Sequence, residues 1–97
     1  MARKVDWTDT AWEDLAATAD YIARDSKNYA ATFVQEVKEA AESLSDFAER
    51  GQVVPEFGDE TIRELSVRPY RLVYKVIADK VLVLTLVHGA RRIWRRG

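Results

Sequence analysis

Cysteine is absent from this 97-residue sequence, and histidine occurs once. Without cysteine there is no disulfide framework and no thiolate metal site, and one histidine leaves little scope for binding a transition metal. The sequence also lacks a Gly-rich phosphate loop, a Ser-His-Asp set, a signal-peptide core and any apolar run near the ~18 residues of a membrane span. We therefore expect a cytoplasmic protein that uses no cofactor, no metal ion and no membrane segment.

The charges that are present divide the chain into two unequal parts. Residues 1–61 contain 6 Lys/Arg and 14 Asp/Glu, whereas residues 62–97 contain 9 Lys/Arg and 2 Asp/Glu. The first part therefore has a net charge of −8 and the second +7, although the whole chain has only −1. A basic C-terminal third favours a polyanionic target or an acidic partner for that part of the protein. The alternative is that the two parts neutralise each other across the fold.

Three apolar runs in the basic part predict β-strands at residues 62–67, 72–77 and 81–87. All three are rich in β-branched, aromatic and aliphatic residues, which favour strands. Arg68-Pro69 predicts a turn between the first two strands, since proline gives no N–H to a strand ladder. Asp79-Lys80 predicts the turn of a β-hairpin between the last two. Together the strands predict an antiparallel meander.

The acidic part begins with a short predicted strand at residues 3–7 and continues as two amphipathic helices. Thr8 or Thr10 is placed to cap the first helix. Asn28 is placed to cap the second helix, and Gly51 to end it. The two apolar stripes consist of Trp12, Leu15, Ala19 and Ile22 in the first helix and Tyr29, Phe33, Val37, Ala40, Leu44 and Phe47 in the second.

The element order predicts an α+β fold in a single domain over residues 1–97. The tight join between the helices predicts an antiparallel αα-hairpin, and residues 52–60 predict a loop that leads into the strands. Both helix stripes need an apolar surface, which a sheet offers on one face. We therefore expect the helices to pack on one face of a small, mainly antiparallel sheet and to leave the other face open. Core positions are predicted for Trp12, Phe33, Val37 and Leu44.

Three short motifs follow one another in the basic part: REL at residues 63–65, YRLVY at 70–74 and HGAR at 88–91. With the N-terminal stretch VDWTDTAWEDLAATADYIARDSKNYAATF, they resemble the RelE/ParE superfamily of toxins from type II toxin–antitoxin systems. The resemblance covers nearly the whole chain. It implies a bacterial or archaeal protein that arrests growth unless a cognate antitoxin covers it, in a toxin–antitoxin hetero-oligomer.

The superfamily contains two activities, and the first is cleavage of mRNA in the ribosomal A site. There the 2′-hydroxyl attacks the adjacent phosphate, so the site needs a base, an acid and cations. The resemblance implies two arginines, here Arg71 and Arg91, together with two lysines on the second strand and a C-terminal tyrosine. Ile62 and Glu64 stand at the lysine positions, and the tyrosine position falls at about Gly97.

His88 is a candidate base for that chemistry, because histidine exchanges protons near neutral pH. The alternative is a structural role at the end of its strand. A ribonuclease built on this chain would therefore use Arg71, Arg91 and His88 as catalytic residues.

The second activity is binding and poisoning of DNA gyrase, which the resemblance implies for ParE-type members that lack the catalytic set. The helical half, the Arg63-Glu64 pair and the HGAR motif favour this branch. We therefore expect a gyrase inhibitor that acts in growth arrest and plasmid stabilisation. Contacts with the target or the antitoxin are predicted for Arg63, Tyr70, Arg71, Tyr74, Arg91, Arg92 and Trp94. A third interpretation is an inactive relative that binds only its antitoxin and represses their shared operon.

The tail at residues 92–96, RIWRR, is basic and contains one aromatic residue. Such side chains can stack on a base or clamp phosphates, which would suit a nucleic-acid target. The alternative is a solvated chain end, the more common fate of such segments.

Overall fold

Along the chain, two α-helices lie between the first strand and the other strands. The computed structural model describes residues 2–89 of the chain. The elements are β1 (Lys4–Trp7), α1 (Asp9–Ala23), α2 (Lys27–Ser43), β2 (Gln52–Val53), a 3-10 helix (Pro55–Phe57), β3 (Ile62–Val67), β4 (Tyr70–Ile77) and β5 (Lys80–His88). The predicted order of a strand, a helix pair and a three-stranded meander is confirmed.

The five strands form one mixed sheet in the order β1-β5-β4-β3-β2. β3, β4 and β5 run antiparallel, and β2 adds an antiparallel edge beside β3. β1 pairs in parallel with β5, with Val5 opposite Val81 and Trp7 opposite Val83. Since the α-helices pack against this sheet, the predicted α+β architecture is confirmed.

The helices and one face of the sheet enclose the larger of two apolar clusters. Phe33 and Val37 of α2 have no exposed surface, and Leu72 of β4 and Leu86 of β5 meet them from the sheet. The buried residues of this cluster are Ala11, Leu15, Phe33, Val37, Ala41, Val67, Leu72, Val83 and Leu86. Removal of apolar surface from water contributes about 25 cal/mol per Å², so this cluster is the main apolar contribution to stability.

A β-bulge in β5 lets two segments of that strand face the same core. Val73 and Tyr74 are adjacent on β4, but their partners on β5 are Thr85 and Val83, so Leu84 is an extra residue. A bulge breaks the alternation of side chains along a strand and leaves backbone groups that need other partners.

The start of α1 supplies those partners. The hydroxyl of Thr8 donates to the carbonyl of Leu84 at 2.9 Å, and the same oxygen accepts the N–H of Ala11 at 3.0 Å, which caps the helix. The carboxylate of Asp14 accepts the N–H of Leu86 at 3.2 Å. Of the two predicted caps, Thr8 is therefore the one used, because it serves both α1 and the bulge.

The predicted boundaries of the second helix are wrong at both ends. Ser26 caps α2 in place of Asn28, since its hydroxyl accepts the N–H three residues further on. The helix ends at Ser43 and does not reach Gly51. Leu44, the residue that follows the helix, lies in a second apolar cluster with Ala48, Tyr74 and Val81.

Trp12 was predicted to be core and is instead 46% exposed. Its neighbour Ala11 takes the buried position, because a shift of one residue rotates a side chain by about 100° around a helix. The Trp12 ring stacks on Trp7, with ring centroids 4.4 Å apart and an interplanar angle of 17°. Tyr29 and Phe47, at the two ends of the second stripe, are also exposed. Phe33, Val37 and Leu44 are confirmed as core.

Two local predictions in the strand half also need correction. Residues 52–60 are not wholly a loop, because they contain β2 and the 3-10 helix. The hairpin turn consists of Ala78 and Asp79, since Ile77 pairs with Lys80 across it. Within residues 2–89, no helix is long and apolar enough to cross a membrane.

Candidate functional site

A cleft of about 500 Å³ lies beside the Arg68-Pro69 turn. Its walls come from residues 50–52, from β3 at residues 64–66, from the turn and the first residues of β4, and from Gly89. The N–H of Gly89 donates to the carbonyl of Pro69 at 2.7 Å, which joins the end of β5 to the turn. The lining contains three arginines and one carboxylate, namely Arg50, Arg68, Arg71 and Glu64.

An ion pair between Arg71 and Glu64 occupies the cleft. Nη1 of Arg71 lies 2.6 Å from Oε1 of Glu64, and the side chains are 23% and 22% exposed. The two residues are diagonal neighbours, because Arg71 pairs with Ser66 and Glu64 pairs with Val73. Diagonal neighbours lie within reach of long side chains, and a charged hydrogen bond is stronger than a neutral one.

The ion pair lies on the face of the sheet away from the helices. Leu72 and Tyr74 point into the two apolar clusters, so alternation along β4 directs Arg71 and Val73 to the opposite face. Val73 is nevertheless buried there. The prediction that this face is open is therefore wrong around the middle of β4.

The loop at residues 48–51, which forms one wall of the cleft, is held from beneath by Tyr74. The hydroxyl of Tyr74 donates to the carbonyl of Ala48 at 2.8 Å and accepts the N–H of Gly51 at 2.9 Å. Its side chain is fully buried. Direct contact between the Tyr74 side chain and a partner, which the sequence had predicted, is not possible in this conformation.

Arg63, the residue directly opposite Tyr74 on β3, holds the same loop. Its Nη1 donates to the carbonyl of Gly51 at 2.7 Å and to the carbonyl of Glu49 at 3.2 Å. Arg50, carried by this loop, donates from Nη1 to the hydroxyl of Ser43 at 2.6 Å. Both side chains therefore link the cleft wall to neighbouring structure.

The aromatic residue at the cleft, Tyr70, is packed on two sides. Its ring centroid lies 5.2 Å from that of Phe33 in the core and 5.3 Å from that of His88 in an edge-to-face arrangement. Tyr70 and His88 are directly paired across β4 and β5, and His88 is exposed. The candidate base is therefore at the surface, close to the cleft.

Tyr74→Phe is expected to lower the free energy of unfolding by about 1–3 kcal/mol, because the Gly51 N–H and the Ala48 carbonyl lose their buried partner while the ring remains. Urea denaturation measures the change. Tyr21→Phe alters an exposed side chain and should change stability by less than about 0.5 kcal/mol. Equal values for the two variants would contradict a structural role for the Tyr74 hydroxyl.

The difference in stability between the wild type and Tyr74→Phe should also depend on pH. Burial raises the pKa of Tyr74 above its ordinary value of 10.0. Above pH 10 the unfolded chain therefore ionises this hydroxyl first, and the wild type loses stability that the phenylalanine variant does not lose. The difference should be constant below that pH and shrink above it. A difference that does not change up to about pH 11 would contradict this.

The structure brings together some of the residues that the sequence singled out. Tyr70, Arg71 and His88 lie near one another at one end of β4 and β5. Arg63 and Tyr74 lie below the neighbouring loop. The remaining predicted site residues, Arg91, Arg92 and Trp94, lie outside the described residues, as does the predicted approach of Arg91 to Arg71.

Sequence reasoning missed Arg50 and Ser66 as parts of the cleft, as well as the pairing of Glu64 with Arg71. The strand register that follows from the predicted turn could have placed Ser66 opposite Arg71. No local signal indicates Arg50, which the fold brings to the cleft from the end of the helical half. Within residues 2–89, no group of three or more His, Cys, Asp or Glu side chains is arranged to hold a metal ion.

Comparisons with known proteins give three matches. The family model described as "ParE toxin of type II toxin-antitoxin system, parDE" matches residues 5–93. Toxin RelE2 of Caulobacter vibrioides is 38% identical over 92 residues, which make up 94% of this chain and 99% of that protein. The solved structure "Chromosomal ParDE TA system from P. aeruginosa" aligns with a TM-score of 0.73 at 23% identity, covering 90% of this chain and 96% of that one. At that identity the structural match is a likeness of fold.

Proposed function

This chain belongs to the ParE toxin family of type II toxin–antitoxin systems, and from that premise we propose that it stops growth by binding and poisoning DNA gyrase. It is a toxin, and its family implies a cognate antitoxin as partner. The proposal concerns the target. The observation that carries it is the ion pair between Arg71 and Glu64 in the cleft.

The ion pair opposes ribonuclease chemistry at this place. Attack by a 2′-hydroxyl builds negative charge on the phosphate oxygens, and preorganised cations must stabilise it. The Glu64 carboxylate lies 2.6 Å from the guanidinium of Arg71 that would have to supply this charge. At the other predicted lysine position, Ile62 offers no charge. The described part of the cleft therefore favours a role in protein binding over cleavage of RNA.

The same residues are suited to binding a protein. Arginine and tyrosine are enriched in the residues that dominate binding energy at protein interfaces. Arg68 is exposed at the turn, and Arg71 and Tyr70 follow it along β4. We assign these residues to the contact with gyrase or with the antitoxin, together with Arg91, Arg92 and Trp94 outside the described part. Arg63 and Tyr74 would act indirectly, by holding the wall of the cleft.

The second candidate function is ribosome-dependent cleavage of mRNA. The name of the relative from Caulobacter vibrioides, Toxin RelE2, favours it, as does the presence of Arg71 in a cleft beside His88. In this case Arg71, Arg91 and His88 would be catalytic. Cleavage would then require Glu64 to leave Arg71 or to act as the base itself.

Purified protein is expected to inhibit supercoiling of a relaxed plasmid by gyrase and to leave mRNA intact on translating ribosomes. Arg71→Ala should weaken the inhibition of gyrase by about 30-fold, the effect of losing roughly 2 kcal/mol at a dominant contact. Arg24→Ala removes an exposed arginine at the end of α1 and serves as the matched control, with little change expected.

Reproducible cleavage of mRNA in the ribosomal A site by the wild-type protein would overturn the gyrase proposal in favour of the second candidate. Absence of both effects, together with normal growth on tightly controlled expression, would instead identify an inactive relative that binds its antitoxin.

A further inference from the structure

We propose that the cleft binds a carboxylate side chain of an acidic peptide segment, and that Glu64 occupies the carboxylate position on Arg71 until such a segment replaces it. Glu64 would then act as an internal competitor that sets the affinity of the site. The inference does not depend on whether gyrase or the ribosome is the target, because peptide binding is measured in the absence of both. Each can therefore fail separately.

The geometry of the ion pair already demonstrates how a carboxylate fits the cleft. Oε1 of Glu64 accepts from Nη1 of Arg71 at 2.6 Å, within the range of short charged hydrogen bonds. Glu64 reaches Arg71 along a diagonal of the sheet, from the position opposite Val73. A carboxylate that enters from the cleft could therefore occupy the same place without disturbing the pairing of β3 and β4.

Exchange of one carboxylate for another at this place replaces one charged hydrogen bond to Arg71 with another of the same kind. Both side chains keep about a fifth of their surface exposed, at 23% for Arg71 and 22% for Glu64. Opening the pair with nothing in its place would leave a largely buried guanidinium without this carboxylate, whereas a second carboxylate restores the charge interaction. Glu64 can therefore turn towards solvent when a second carboxylate approaches Arg71.

The cleft contains more positive than negative charge. Among residues 2–89, neither Arg50 nor Arg68 has a carboxylate oxygen within the 4.0 Å of an ion pair. The guanidinium of Arg50 donates to a neutral hydroxyl, that of Ser43. Three arginines thus face one carboxylate, and an acidic segment would bring additional negative charge to Arg50 and Arg68.

The cleft suits a peptide better than RNA. Recognition of single-stranded RNA uses exposed aromatic faces on which bases stack. Among residues 2–89, the aromatic residue in the cleft lining is Tyr70, which packs instead against Phe33 and His88, at 5.2 and 5.3 Å between ring centroids. A volume of about 500 Å³ lies within the usual size range of ligand pockets, and one or two acidic side chains would fit into it.

The test measures binding of a fluorescein-labelled hexaglutamate peptide to the full chain by fluorescence anisotropy. Glu64→Gln is expected to bind the peptide about 10-fold tighter than the wild type, because the competing charge is gone while the shape is kept. Glu36→Gln removes the same charge from an exposed position on α2 and should change the affinity by less than about twofold. Binding should weaken as salt rises from about 50 to 500 mM.

Arg71→Gln in the Glu64→Gln background is expected to abolish the gain in affinity for the peptide. If that double variant does not fold, Arg68→Gln at the exposed turn replaces it and should weaken binding about threefold or more. The proposal is overturned if Glu64→Gln behaves like Glu36→Gln, or if a labelled hexanucleotide RNA binds the wild type more tightly than the peptide does. The second result would indicate a nucleic-acid site.

Discussion

Replacing Phe33 with alanine is expected to lower the free energy of unfolding by about 3–5 kcal/mol. Phe33 has no exposed surface and lies in the larger apolar cluster, with its ring 5.2 Å from that of Tyr70. Truncation removes an aromatic ring from the interface between α2 and the sheet and leaves a cavity that the surrounding side chains fill incompletely. For a domain of this size the loss is a large share of the total stability.

Urea denaturation of Phe33→Ala measures this loss, and Tyr29→Ala is the matched control. Both variants remove an aromatic side chain from α2, but Tyr29 is 50% exposed. The control should therefore change stability by less than about 1 kcal/mol, since most of its side chain already contacts water. A loss below about 1 kcal/mol for Phe33→Ala would mean that this stripe does not face the sheet.

Gly51→Ala is expected to destabilise the protein by about 3 kcal/mol, because the added methyl group has no space. A Cβ at this position would lie 2.6 Å from the backbone carbonyl oxygen of Glu64 and 2.6 Å from the hydroxyl oxygen of Tyr74. The carbonyl belongs to β3 and cannot yield, so the loop must move outwards. The hydrogen bonds from Gly51 to Tyr74 and from Arg63 to Gly51 would then lengthen or break.

Gly58→Ala provides the comparison for this variant. A Cβ at Gly58 would have no atom within 4 Å, and its cost of about 1 kcal/mol would come from a backbone φ of +63°. Denaturation of both variants should therefore rank Gly51→Ala as the more damaging. The reverse order would show that the 48–51 loop moves easily and that its hydrogen bonds with Tyr74 and Arg63 are weak.

The loop connects the stability of the fold to the geometry of the cleft. Arg50, Gly51 and Gln52 form one wall, and the opposite wall includes Glu64 and Arg71. A displaced loop would therefore move Arg50 relative to the ion pair. We expect Gly51→Ala to weaken binding of an acidic peptide even under conditions where the variant remains folded, because the cations would no longer be preorganised.

The sequence by itself determined the order of the elements. Runs of β-branched and aromatic residues marked β3, β4 and β5, because strand preference is a property of consecutive residues and of their alternation. The turn at Arg68-Pro69 followed from the chemistry of proline alone. The REL, YRLVY and HGAR motifs were equally local, so they indicated the family before any contact was known.

The tertiary structure decided which side of each element faces the core. The apolar stripe of α1 included Trp12, but the cap at Thr8 and its bond to β5 turn Ala11 inwards instead. β2 has two residues, too few for a pattern to appear, and it exists because β3 offers it an edge. Burial depends on where distant segments meet, and the sequence of one segment contains no record of that.

In the cleft, too, the sequence showed the residue types and the tertiary structure decided their contacts. Glu64 and Arg71 were visible as charged residues on predicted strands, yet their pairing depends on the register of β3 against β4. Arg63 and Tyr74 looked alike as candidates for binding a partner, but the loop at residues 48–51 folds over them and makes both into supports. A side chain's chemistry is set by its residue type, whereas the groups it meets are set by distant segments, as with Tyr74 and the carbonyl of Ala48, 26 residues apart along the chain.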